Sequence, residues 1–370
     1  MCDVPALRFP EFTEEWNEYA IGKVLSIGNG RDYKHLHNGN IPVFGTGGYM
    51  TSVDDFLYDG ESVFIGRKGT INKPLYYNGK FWTVDTLFYT HSFVNVLPKF
   101  VYCLFQTINW LKYNEASGVP SLSKATIEKI KVCIPSMDEQ DKLSNLLFLL
   151  DKRIEVQNKI IEDLKKLKSA IVEMLFCIQG GVLLRLGDIG SFVRGLTYSN
   201  EDITEDVNAT TVIRANNLNY GNNVNKEDVV YVNKKPAEIQ ILRKGDIVIC
   251  MSNGSSSLVG KNSYYSFDDR HSTIGAFCGV YRTSQQLVKW LMQSQRYKRL
   301  VYQSLQGGNG AIANLNGDDI LNMTFRVVEH EKNVSILSAL GLTENSIAVN
   351  ENLQELYSAQ KVYLLRHLFI

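Results

Sequence analysis

Residues 138–177 constrain this chain more than any other stretch. The apolar residues Leu143, Leu147, Leu150, Ile154, Ile161, Leu164, Ile171 and Leu175 step by fours and threes, and Gln157 and Lys168 complete the ladder. Alternating steps of three and four form a heptad seam, and a seam this long suggests a coiled-coil helix. The stretch holds neither proline nor glycine. A long helix in an ordinary bundle is the plainer alternative, and it is weakened because the pattern returns at the end of the chain.

The second copy spans 343–370. Shifted by about 193 positions, Ile154 falls on Ile347, Gln157 on Asn350, Ile160 on Leu353, Leu164 on Tyr357, Lys168 on Lys361, Ile171 on Leu364 and Leu175 on Leu368. Even the polar interruptions match in kind. A polar residue in a seam costs stability and fixes register, so two at equivalent places look placed. The chain therefore reads as two half-copies, each a globular head followed by a long helix.

The heads show further correspondences. Tyr19-Ala20-Ile21-Gly22-Lys23-Val24 is echoed by Leu184 to Gly190. Residues 59–70 and 244–255 both run turn, buried strand, polar loop, which sets Arg67 against Asn253 ahead of Gly69 and Gly254. Residues 118–127 match 310–320 in type, with Ile127, Ile130 and Val132 answering to Ile320, Met323 and Phe325. Short β-branched runs punctuated by Gly and Asn indicate strands joined by turns. Each half is expected to run mixed α/β head, Gly-Ser loop, strand, long helix.

At 370 residues the chain suits two domains plus the helices. Its 44% hydrophobic and 21% charged residues are those of a folded soluble protein. The six cysteines (Cys2, Cys103, Cys133, Cys177, Cys250 and Cys278) form no C-x-x-C pair and read as buried thiols, not disulfides or zinc ligands. No apolar run is long enough for a bilayer and no signal-peptide pattern opens the chain, so a cytoplasmic location without membrane contact is expected. The net charge of +0 argues mildly against an independent, tight nucleic-acid binder.

Catalytic patterns are nearly absent. Phe44-Gly45-Thr46-Gly47-Gly48 lacks dinucleotide-loop spacing and reads as a tight turn. There is no Walker loop, no Pro-Pro pair and no H-E-x-x-H. Pro135, Asp138, Glu139 and Lys142 faintly resemble a nuclease site, but Asp138 and Glu139 are better explained as first-turn acids of the long helix. Basic and amide residues do gather in the loops of both halves. In the first these are Arg31, Lys34, Arg67, Lys68 and Lys73, with Tyr49 nearby and Thr70 in the same loop. In the second they are Arg194, Arg214, Asn216, Asn217, Asn253, Lys261, Asn262 and Arg270, with the loop hydroxyls Ser252 and Ser255. Arg and Lys can bond guanine edges and Asn can pair with adenine, while other groups hold phosphates. For any one residue a solvated loop is the plainer reading; the signal is collective.

The whole chain resembles the specificity (S) subunit of a type I restriction-modification system. The resemblance is carried by Leu7-Arg8-Phe9-Pro10 with Trp16, by Gly66-Arg67-Lys68-Gly69-Thr70, and by Pro135-Ser136-Met137-Asp138-Glu139-Gln140, which is similar to the family's proline–Glu-Gln approach to its central helix. The second approach departs from the pattern, with Glu329-His330-Glu331-Lys332 in its place, and Gly341 is a candidate kink in the second helix. The resemblance implies an α/β (α+β) fold: two mixed α/β target-recognition domains at 1–137 and 179–332, and two long helices at 138–178 and 333–370 forming an antiparallel coiled-coil spacer, with a pseudo-two-fold internal repeat. It implies a non-catalytic chain that binds double-stranded DNA and reads a bipartite, asymmetric target. Methyltransferase (M) subunits, two of them, and restriction (R) subunits would be its partners, bringing S-adenosylmethionine, ATP and Mg; the chain itself would hold no cofactor or metal. The alternatives are a coiled-coil scaffold whose heads do not bind DNA, and the recognition subunit of another methylation-based defence system.

Overall fold

The computed structural model describes residues 2, 4–176, 179–305 and 313–369. The fold is mixed α+β and divides into two compact units, 1–160 with 350–370, and 161–349. Cys177 and residues 306–312 of the glycine-rich stretch lie outside the described residues.

The first unit opens with β1 (Asn17–Ala20), α1 (Ile21–Val24) and β2 (Ser26–Asn29). Then come β3 (Asn38–Gly45), β4 (Gly48–Val53), β5 (Tyr58–Gly66), β6 (Leu75–Thr83) and β7 (Leu87–His91). These make a six-stranded sheet ordered β2-β7-β5-β6-β3-β4, antiparallel except where β3 runs parallel to β6. The Gly-rich stretch at 44–48 is the turn of the β3–β4 hairpin, with Gly45 opposite Gly48. Helix α2 (Pro98–Thr107) starts on a proline, whose fixed φ suits a first helical position, and buries Phe100, Val101, Leu104 and Phe105. Helix α3 (Lys124–Lys129) is capped by the Ser123 hydroxyl, which accepts the Thr126 N–H. Strand β8 (Lys131–Ile134) returns to pair with β1 and leads into the long helix α4 (Met137–Glu173).

The second unit follows a similar order. It runs β9 (Val182–Arg185), α5 (Leu186–Ile189), β10 (Ser191–Arg194), β11 (Ile203–Thr204), β12 (Thr210–Ile213), β13 (Val230–Val232), β14 (Ile247–Cys250), β15 (Ser252–Asn253), β16 (Asn262–Tyr264), β17 (Ser272–Ile274) and β18 (Cys278–Arg282). Next are α6 (Leu287–Leu291), α7 (Gln295–Leu305), β19 (Ala313–Asn314), α8 (Gly317–Leu321), β20 (Thr324–Val327) and α9 (His330–Leu368). Its sheets are ordered β10-β18-β14-β16 and β11-β13-β12-β17, and β12 runs parallel to β17. Strand β20 pairs with β9 just before α9.

The heptad ladder faces inward. In the first unit Leu143, Leu147, Leu150 and Gln157 are buried, and Leu143 and Leu147 share a core with Leu368 and Phe369. In the second, Leu175 packs with Leu340, while Ile171 of the ladder is half-buried and its off-ladder neighbour Val172 is buried. The polar seam residues are paired. Gln157 Nε2 donates to Asn350 Oδ1 at 2.5 Å, a separation of 193 residues. Lys361 meets Asp151 at 2.5 Å in the first unit, and Lys168 meets Glu344 at 3.2 Å in the second. In the first unit the partner on α9 falls from 361 to 350 as α4 climbs from 151 to 157, so the paired segments run antiparallel.

The Pro135–Gln140 motif locks the start of α4 to its own unit. Glu139 is 1% exposed and takes Arg8 Nε and Nη2, both at 2.8 Å. Gln140 is fully buried; its Oε1 accepts the Leu97 N–H, and its Nε2 donates to the Asn95 and Pro135 carbonyls. The first-turn reading of Glu139 was therefore incomplete, since an ion pair with Arg8 accompanies its place on the helix. Although the second approach lacks Glu-Gln, Asn333 does similar work, donating to the Val328 carbonyl five residues back, as Gln140 does to Pro135. Helix α9 passes through Gly341 unbroken.

The cysteine expectation needs one correction: Cys2 and Cys133 form a disulfide across 131 residues. No spacing pattern could reveal it, because the pair is made only when the N-terminal segment folds back over β8. Cys103, Cys250 and Cys278 are buried thiols, and burial pushes Cys103 and Cys278 up to about 12, which keeps them protonated and unreactive. No helix among the described residues is long and apolar enough to cross a membrane.

Two stability predictions follow from this packing. Arg8→Ala strands a buried carboxylate and should cost about 3–5 kcal/mol, read as a lowered melting temperature of the full chain. Gly341→Ala should stabilise by about 1 kcal/mol, since a Cβ there meets nothing within 4 Å; the same calorimetric scan checks it.

Candidate nucleic-acid interface

In the first unit one carbonyl organises the loops. Thr86 O accepts the consecutive N–H groups of Arg67 (2.8 Å) and Lys68 (3.2 Å), and Leu122 N–H donates to Arg67 O (2.9 Å). On the other side of the same segment, Gly30 N–H reaches Leu87 O (3.1 Å), Arg31 N–H reaches Thr83 O (2.8 Å) and Val84 N–H reaches Phe44 O (3.0 Å). A Cβ on Gly30 would lie 1.9 Å from Val84 O, so only glycine permits this approach.

The second unit builds the same set of bonds. Phe277 O accepts Met251 N–H (2.8 Å) and Ser252 N–H (3.2 Å), and Leu315 N–H donates to Met251 O (2.7 Å). Gly195 N–H reaches Cys278 O (3.3 Å), Leu196 N–H reaches Ile274 O (2.7 Å) and Gly275 N–H reaches Ile213 O (3.0 Å). A Cβ on Gly195 would lie 2.1 Å from Gly275 O. The bonds therefore put Arg67 level with Met251 and Lys68 level with Ser252, two residues from the pairing of Arg67 with Asn253. Arg67 and Met251 each directly follow their strand, which ends at Gly66 and Cys250, whereas Gly69 lies three residues beyond β5 and Gly254 four beyond β14.

The expected contact residues distribute unevenly over this frame. In the first unit Arg31, Arg67 and Lys68 flank the 83–87 segment and are exposed. Arg67 also donates to the Asp85 carbonyl (3.3 Å) and lies 5.9 Å from the Phe88 ring. Thr70 is half-buried in the same loop. Tyr49 is 64% exposed on β4, edge-on to Phe44. Lys34 and Lys73 are exposed on flanking loops.

In the second unit Arg194 and Ser252 stand around Phe277, and Asn253, next on β15, accepts the Ser255 N–H at its side-chain carbonyl (3.0 Å). Arg214 lies beside Gly275 and pairs with Asp228 at 3.5 Å, and exposed Asn216 donates to the same carboxylate at 2.8 Å. Lys261 belongs to a separate recess of about 450 Å³, 5.4 Å from the Tyr220 ring. Arg270 is exposed on the loop before β17.

Two expected contacts lie inside instead. Asn217 is 2% exposed; its Oδ1 accepts the Arg214 N–H and its Nδ2 donates to the Asp228 carbonyl. Asn262 is 5% exposed and donates to the Gly260 and Met292 carbonyls. Both amides hold loops together and present no edge outward.

Apart from Arg214, none of these Arg and Lys side chains pairs with a carboxylate among the described residues. No group of His, Cys, Asp and Glu among those residues could hold a metal ion. Sequence reading missed Thr86 and Phe277, whose shared position emerges only from the backbone bonds; Phe277, beside the buried Cys278, reads as part of a strand.

Residues 13–166 match the family model "Type I restriction modification DNA specificity domain". The chain is thereby recognised as a relative of the specificity (S) subunits of type I restriction-modification systems. It is 32% identical over 141 residues to the type I restriction enzyme EcoKI specificity subunit of Escherichia coli (strain K12), covering 37% of this chain and 30% of that protein. It is 23% identical over 275 residues to the MjaVIII specificity subunit of Methanocaldococcus jannaschii, covering 67% of this chain and 60% of that one. The matched parts thus span from under a third to about three-fifths of these relatives. In fold, the chain is similar to the crystal structure of the type I restriction-modification system S subunit from M. genitalium, with TM-score 0.68 at 14% identity over 100% of this chain and 99% of that one. A second solved structure, titled for complex assembly and conformational transition of the type I R-M system, has TM-score 0.56 at 11% identity over 96% and 97%.

The loop before β17 carries a pH-sensitive pair. Burial would raise the Asp269 carboxyl, but Lys226 at 2.6 Å and the Tyr265 hydroxyl at 2.6 Å outweigh it, leaving Asp269 at about 2 against its ordinary 3.8. A depressed carboxyl adds stability that is present above its unfolded value and lost as pH falls through the folded one. The second unit should therefore lose about 2 kcal/mol between roughly pH 4 and 2. In Asp269→Asn that acid loss should shrink, as followed by acid titration of tyrosine fluorescence.

Proposed function

We propose that this chain is the DNA sequence-recognition subunit of a type I restriction-modification complex. The observation that carries the reading is the pair of matching backbone frames. Each holds a strand-end loop beside which exposed basic side chains, Arg31, Arg67 and Lys68 in the first unit and Arg194 in the second, lack carboxylate partners among the described residues, in a chain related to S subunits. Arg and Lys without internal partners suit phosphates and guanine edges. A fixed backbone holds such groups in place, so that little order is lost on binding.

On this reading the two heads, 1–137 and 179–332, are target-recognition domains related by a pseudo-two-fold internal repeat, and each reads one half of a bipartite, asymmetric target. The similar element orders and the 193-residue separation of Gln157 and Asn350 support the repeat. The long helices act as an antiparallel coiled-coil spacer, supported by their buried ladder and paired polar residues. Two methyltransferase subunits and the restriction subunits join this chain and bring S-adenosylmethionine, ATP and Mg. The chain itself is non-catalytic and works in the cytoplasm.

The test uses the chain assembled with its methyltransferase subunits, on targets altered in one half-site at a time. Arg67→Ala and Lys68→Ala are expected to impair one half-site only, and Asn253→Ala and Lys261→Ala the other. A lost bidentate base contact should cost about 1–3 kcal/mol and relax one position. A lost phosphate contact should weaken all sequences alike and flatten the salt dependence. If all four variants bind like the parent at two salt concentrations, these loops do not read DNA.

A further inference from the structure

Beside Phe277 the second unit has a recess of about 280 Å³, floored by Met251 and Cys278 and rimmed by Arg194, Ser252 and Asn314. Phe277 is 70% exposed, yet its backbone is tightly held. Its carbonyl takes two N–H groups, Gly275 N–H donates to Ile213 O, and Cys278 N–H donates to Gly275 O at 2.9 Å. Single exposed apolar side chains are common on protein surfaces; what sets Phe277 apart is that its backbone is fixed and that it lines a recess shared with Arg194. No carboxylate lines the recess among the described residues, and Arg194 has no carboxylate partner there. The recess thus offers a guanidinium and amides to an electronegative edge, with one apolar face next to them.

Base faces in duplex DNA are covered by stacking, and reaching one requires the bases to be unstacked. Edges in the major groove are open. They carry acceptors suited to arginine and one apolar group, the 5-methyl of thymine. We infer that Phe277 packs on the 5-methyl of one thymine in the target while Arg194 bonds an acceptor on a neighbouring base pair. Phe277 is then a specificity-determining residue. In the first unit the level position is Thr86, a smaller and half-buried side chain, so the two units place different chemistry on one backbone frame. The inference rests on the proposed DNA reading and deepens it.

The test takes the assembled methyltransferase complex and its target, mapped by the positions it methylates, and replaces each thymine singly with uracil, which lacks only the methyl. Burying one methyl is worth about fourfold in affinity. One thymine, in one half-site, should show that loss with the parent chain. Phe277→Ala should bind the thymine target about fourfold more weakly and bind uracil and thymine equally at that position. Arg194→Ala should keep the thymine–uracil difference and relax preference at a neighbouring pair. Uracil tolerated everywhere by the parent, or an undiminished uracil penalty in Phe277→Ala, overturns the assignment. So does a Phe277→Ala loss independent of the methyl, which would mean that the ring wedges between base steps. Failure to bind any DNA sequence selectively is a different outcome: it removes the function proposed above, and this inference with it.

Discussion

A charge facing the seam between two helices must meet an opposite charge, or the seam slips to a register where it does. In this chain that constraint acts through lysine. Lys361 closes on Asp151 and Lys168 on Glu344, while the two seam amides, Gln157 and Asn350, bond each other. Apolar residues alone would tolerate a shift of one heptad, because leucine packs on leucine in either register. The amides do not, since a shift of one heptad would set Asn350 against Leu150 or Leu164 in place of Gln157. The ladder supplies the attraction and the polar interruptions supply the alignment.

In the heads alignment comes from the backbone. Gly30 and Gly195 let a strand end press against a neighbouring carbonyl, and the Thr86 and Phe277 carbonyls each gather two N–H groups. These bonds do not depend on side-chain identity, so the side chains they carry are free to differ. Arg67 and Lys68 stand where the other unit has Met251 and Ser252. A frame fixed by the main chain and variable in its side chains suits a part whose task is to discriminate.

The seam was legible because a repeat of three and four is written directly in the apolar residues, and its polar breaks gave themselves away by recurring. The hairpin turn at 44–48 and the burial of Ile127, Ile320 and Phe325 were legible for the same local reason. What escaped depended on distant partners. Cys2 meets Cys133 only after the N-terminal segment folds back. Asn217 and Asn262 have the residue type of a base reader, but carbonyls of Asp228, Gly260 and Met292 use up their amides. The match of Arg67 to Asn253 followed a glycine that both loops contain, whereas hydrogen bonds to a third segment set the true level.

The N-terminal segment of the first unit ties together parts far apart in sequence. Leu7 N–H donates to His367 O at 2.8 Å, Arg8 holds the first turn of α4, and Trp16 packs edge-on to Phe369. Residues near one end of the sequence thus lie side by side with residues near the other. The order in which the segments are strung is then only weakly imposed by the fold. A short linker can join these two segments, and the chain can be opened at an exposed turn such as the one between β3 and β4. The contacts that define each unit would remain, with the same segments read in a rotated order.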